Sequence, residues 1–200
     1  VKKLYLLLAV ALMGVFVTSA HAAVGFEIGQ GFHVAGDSRL RETGRQFGFN
    51  IDVGDDFQMG YFFEEVLGEW RGDVAAATPN TVNYGASLNG LRAIKTLNRF
   101  AAVGLDIGNA QISQRSFSGT NATLGGANLF NQTKPFIDVL GRLKYEATSS
   151  KGITSALVLD LGYRFLDLND ISAAGLGGTN EATIDDMNAF LINLGVTLRF

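Results

Sequence analysis

The sequence predicts an all-β chain: an eight-stranded antiparallel up-and-down barrel that crosses a membrane. Three observations carry this. Period-two alternation of apolar and small or polar residues recurs in eight segments, which sets one class on each face of a strand. The connections alternate between tight and long, as in barrels with short turns at one end and loops at the other. Finally, 25 glycines, two prolines and no cysteine among 200 residues suit long strands in a closed sheet.

The first 22 residues read as a signal peptide. Lys2 and Lys3 give a positive start, residues 4–17 are nearly all apolar, and Ala20-His21-Ala22 supplies the small-residue cleavage pattern. The barrel is then expected over residues 23–200. Without Lys2 and Lys3 the net charge falls from −3 to −5, and with no basic tract a nucleic-acid partner is excluded. Absent cysteine excludes thiol catalysis, cysteine-held metals and a lipid anchor on cysteine. No cofactor or metal motif is present.

In chain order, segment one sets Val24, Phe26, Ile28, Phe32 and Val34 against Gly25, Glu27, Gly29, Gly31 and His33. Segment two sets Phe47, Phe49, Ile51 and Val53 against Gln46, Gly48, Asn50 and Asp52. Segment three sets Phe57, Met59, Tyr61 and Phe63 against Gln58, Gly60, Phe62 and Glu64. Segment four places Val82, Tyr84, Ala86 and Leu88 on the apolar face against Asn83, Gly85, Ser87 and Asn89, and loses its phase towards Arg92. Segment five alternates from Ala101 to Gly108, six from Ile137 to Tyr145 and seven from Ala156 to Phe165. Segment eight, Phe190 to Phe200, is apolar at every second residue, and its eleven residues match the ~9–11 that span a bilayer when tilted. Long loops are expected over 36–44, 67–80, 115–133 and 167–184, with tight turns at Gly54-Asp55, 94–98 and 148–152.

The apolar faces carry too many large side chains to fit inside eight strands. They are therefore expected to face lipid, and the Gly-rich faces with isolated charges to face the lumen. Aromatics near strand ends (Phe57, Tyr145, Tyr163, Phe165, Phe190 and Phe200) suit membrane interfaces.

Ala102-Val103-Gly104-Leu105-Asp106-Ile107-Gly108, Leu161-Gly162-Tyr163-Arg164-Phe165 and the terminal Leu198-Arg199-Phe200 resemble the small outer-membrane β-barrels of the OmpA/OmpX and opacity-protein type. The resemblance covers the whole region after the signal and is architectural. It implies location in the bacterial outer membrane and contact with its lipids and lipopolysaccharide. It also implies passage through periplasmic chaperones to the assembly machinery, which would read Phe200, Leu198 and Val196. The periplasmic peptidoglycan-binding domain of the OmpA pattern is not matched.

Three functions remain open. The leading one is a non-enzymatic surface barrel that supports the envelope or meets external ligands through its loops, where Arg71-Gly72-Asp73 is either an adhesion motif or a turn. The second is an outer-membrane lipid-modifying enzyme built on His33 with Ser38, needing a hydroxyl at the imidazole and an orienting carboxylate. The third is a narrow porin-like channel along the inward charges Glu27, Asp52, Glu64, Asp106, Asp138, Arg142, Asp160 and Arg164. The competing role for those charges is mutual pairing in a filled lumen.

Overall fold

A computed structural model describes residues 23–35, 40–71, 81–118, 131–150, 153–172 and 183–200. The expected signal segment lies outside them, as do Ser38, Gly72, Asp73 and the tips of the long loops. Ten strands occur: β1 (Val24–Ala35), β2 (Leu40–Val53), β3 (Phe57–Arg71), β4 (Thr81–Asn98), β5 (Ala101–Ser118), β6 (Asn131–Ser150), β7 (Ile153–Phe165), β8 (Asp167–Ser172), β9 (Thr183–Asp186) and β10 (Ala189–Arg199).

Eight of them close into one barrel in the order β1-β10-β7-β6-β5-β4-β3-β2, every neighbour antiparallel. β1 and β10 complete the ring, paired from Gly25–Arg199 to Ala35–Ala189. A row of paired residues that leaves β1 at Val24 passes Ile51, Met59, Ala93, Leu105, Val139, Tyr163 and Phe190 and returns to β1 at Val34. That ten-residue climb is the stagger that closure of tilted strands requires, and every member of the row is apolar.

The β2–β3 turn is tight because Gly54 takes φ +74°, a conformation that needs no Cβ. At the β4–β5 turn, Asn98 Oδ1 accepts the backbone N–H groups of Phe100 and Ala101 at 2.8 and 3.0 Å. The opposite end of the barrel departs from the expected loops. β2 begins at Leu40, β3 runs to Arg71 and β5 to Ser118, so strand replaces much of each loop. Within 167–184, β8 and β9 pair as a separate two-stranded ribbon.

Segment four is also corrected. Tyr84, Ala86 and Leu88 point inward and are buried, while Leu91 is outward and exposed. The reason lies above the ionic zone. There the lumen is filled by apolar side chains, among them Phe62, Val66, Leu88, Ile112, Phe136 and Met187, so in this stretch the apolar face is the inner one. Lower down the outside is apolar: Ile28, Leu105, Leu157, Phe190 and Leu194 are all exposed.

Candidate functional site: the ionic lumen

Charged side chains meet in the barrel because cross-strand register puts acids opposite arginines. Arg92 faces Asp106, Arg142 faces Asp160 and Arg164 faces Asp138. Each arginine donates two bonds to its opposite aspartate. These are 2.8 and 2.6 Å for Arg92, 2.6 and 2.7 Å for Arg142, and 2.9 and 2.7 Å for Arg164. Such forks are the strong form of the ion pair.

Glu27 joins the two lower forks, accepting from Arg92 Nη1 at 2.7 Å and Arg142 Nη2 at 2.8 Å. Arg164 also donates to Glu64 Oε2 at 2.6 Å. From Glu64 the network climbs to His33, whose Nε2 lies 2.9 Å from Glu64 Oε1 and whose Nδ1 lies 3.3 Å from Glu42 Oε2. Tyr84 closes the chain, donating to Glu42 Oε1 at 2.5 Å. Gly44 makes room for it: a Cβ there would collide with the Glu64 carboxylate.

The apolar plug sits on this network. Arg92 stacks under the Phe62 ring at 5.0 Å and Arg164 under Phe136 at 5.4 Å, and the two rings meet edge to face at 5.7 Å. Cation–π contact thus joins the ionic and apolar layers.

Seven of the eight charges expected in the lumen are buried in this network. Asp52 stands apart at the turn end, only partly buried, paired with Arg199 and accepting from Gln58 at 2.9 Å. Sequence reasoning missed Arg92, Glu42 and Tyr84. Arg92 could have been found by pairing segments four and five back from their turn, which sets it against Asp106. Glu42 fell in a segment expected to be loop.

The His33 side chain has no exposed surface and both its ring nitrogens face carboxylates, while Ser38, its expected partner, lies outside the described residues. A triad needs one nitrogen on the nucleophile. Val196 and Leu198 lie outward on β10 and Phe200, just past its end, is exposed and edge-on to Phe26 at 6.1 Å. Arg71 ends β3, and the remainder of its tripeptide lies outside the described residues.

No protein-family model matches the chain, and neither does any curated protein sequence. Solved structures do. The outer membrane protein Ail of Yersinia pestis, in a phospholipid bilayer nanodisc, covers 90% of this chain with 100% of its own at 11% identity and a TM-score of 0.50. The crystal structure of Ail covers 90% with 97% of its own, at 13% identity and a TM-score of 0.49. Neisserial surface protein A covers the same shares at 13% identity and 0.44. At such identities the likeness concerns the fold. The chain has the fold of the small eight-stranded outer-membrane β-barrels.

Proposed function

We propose that this chain is a bacterial outer-membrane surface barrel, neither channel nor enzyme, that acts through the sheet and loops it raises above the membrane. The observation that carries the reading is the change of polarity along β3–β6. These strands have 15, 18, 18 and 20 residues, against the ~9–11 that cross a bilayer. Their upper parts turn polar residues outward, including Glu65, Ser87, Asn109 and Gln111, over the apolar plug. A sheet that is apolar inside and polar outside suits water, so this region is a platform for contact. The filled lumen leaves transport without a path.

Residues 1–22 would direct export, and chaperones and the assembly machinery would deliver the barrel. Ail is an attachment invasion locus protein, and an adhesive role would put this platform to a similar use. Arg71-Gly72-Asp73, beginning at the end of β3, is one candidate contact.

The test compares adhesion of cells displaying the chain with cells displaying a form whose segments 72–80 and 119–130 are cut to tight turns. Adhesion should fall with the trimming while the barrel still folds. Stepwise conductance in planar bilayers that shifts with Arg142→Ala would replace this reading with a pore. A change in lipid acylation on expression, abolished by His33→Ala, would replace it with an enzyme.

A further inference from the structure

The apolar belt is broken on β1. On β1 the outward residues run Ile28, Gln30, Phe32 and Val34, so Gln30 has exposed apolar neighbours below and above it. Across β1–β2 it faces Arg45, which is outward and exposed one position above Phe47. Gln30 is held in place: Nε2 donates to Gly44 O at 2.7 Å and to Gly31 O at 3.3 Å. Arg45 has no acid within ion-pair distance among the described residues. Its cross-strand neighbour Glu65 is instead bonded to Arg115 at 2.8 Å.

An arginine at this edge, with Phe47 below it and Glu65 of the polar upper wall across from it, is favoured where it reaches an anion or the headgroup layer. Directly below, a groove of about 450 Å³ runs over the outer wall, bounded by Ile28, Leu157, Leu194 and Val196 and ending at Gln30 and Arg45. A cation and an amide at the head of an apolar groove match one kind of occupant, a lipid with a phosphate above an acyl chain.

We propose that Arg45 and Gln30 head a binding site for one anionic phosphorylated lipid of the outer leaflet, its phosphate on the Arg45 guanidinium and an acyl chain in the groove. The site rests on the membrane-barrel reading above.

The test reconstitutes the barrel in phosphatidylcholine vesicles containing either phosphatidylglycerol or a phosphorylated glycolipid. It then counts lipids retained after release into mild detergent, by native mass spectrometry. The wild type should keep one anionic lipid in preference to phosphatidylcholine. Arg45→Gln should lower that retention about tenfold, as expected for loss of a charge-assisted bond, and Gln30→Leu by less. Lys95→Gln, which removes an exposed cation at the turn end of the outer wall, should change nothing. Heat-modified gel mobility confirms that each variant is folded.

Equal retention by Arg45→Gln and wild type would overturn the site. So would equal losses in Arg45→Gln and Lys95→Gln, or equal retention of phosphatidylcholine. Failure of the wild type to enter vesicles at all would instead sink the membrane reading, and the site with it.

Discussion

The two halves of this barrel are built to opposite rules on the same strands. In the lower half the outside is apolar and the inside ionic. In the upper half the outside is mostly polar, with Leu67 an exception, and the inside mostly apolar. β4 shows the reversal without a break in its alternation. Leu91 faces out and Arg92 in, yet four residues on, Ser87 faces out and Leu88 in. β5 repeats it, with Ile107 out and Asp106 in, then Gln111 out and Ile112 in. Lipid accepts no unpaired charge and water rewards an apolar interior, so solvent selects the residue types while the pleat supplies only the alternation. On the membrane-barrel reading proposed above, the place where the rule changes is the upper edge of the membrane.

The sharpest way to break this contrast is to remove the hub of the ionic half. Arg92 is 1% exposed and holds both Asp106 and Glu27. Arg92→Met strands the buried Asp106 carboxylate, leaves Glu27 with Arg142 alone, and should cost about 3–5 kcal/mol, read by denaturant unfolding of the barrel in vesicles. Arg92→Met with Asp106→Leu should recover part of the loss. A single variant as stable as wild type would mean that water, not Arg92, satisfies those acids.

A lysine scan of the outer wall is the next test. Leu105→Lys places a charge against lipid and should cost about 2–4 kcal/mol near the midplane, with correspondingly poor insertion. Gln111→Lys, six residues along the same strand and on the same face, should cost close to nothing if that level is in water. Equal penalties would place Gln111 in lipid and erase the boundary.

That boundary also explains what could be read from the sequence. β10 is apolar outside along its length and β1 and β7 nearly so, with Gln30 and Ser155 the exceptions, so their facing was plain from alternation, and β10 most of all. Segment four was inverted because most of it lies above the membrane, where Tyr84, Ala86 and Leu88 belong inside. Alternation has a phase but no sign, and a single rule applied from end to end puts a water-exposed stretch the wrong way round. The expected loops shrank for a related reason. Residues 40–45 offer little apolar contrast, yet Leu40 and Glu42 are buried and Arg41, Thr43 and Arg45 exposed. The lumen charges were legible as a set. Their pairing was not, because it depends on register between strands, and of the two carboxylate partners of His33 one, Glu42, lay in a segment taken for loop.

Within the apolar plug the expected effects are those of an ordinary protein core. Ile112 is 1% exposed, and Ile112→Val removes one methylene, which should cost about 0.5–1.5 kcal/mol. The same change at Ile107, outward in the belt, replaces one lipid contact by another and should cost less. Parallel unfolding curves for the two variants measure the comparison. A larger loss at Ile107 would contradict the assignment of inner and outer faces on β5.

The smallest effect sharpens the contrast most, because it uses the same chemistry in the other solvent. Glu65 and Arg115 form an ion pair of 2.8 Å on the outer wall of the upper half, with side chains 45% and 50% exposed. Its length matches the Arg92–Asp106 contacts, and geometry alone would rank the two alike. In water the attraction is screened and each partner is hydrated when unpaired, so a double-mutant cycle with Glu65→Gln and Arg115→Gln should give a coupling of about 0.2–1 kcal/mol. That coupling should shrink as salt is raised. The buried Arg92–Asp106 cycle should exceed it and ignore salt, since ions have no access to the lumen. If the outer pair proved as strong as the inner and equally insensitive to salt, the upper half of the wall would be shielded from water, and the proposed contact platform would already be covered.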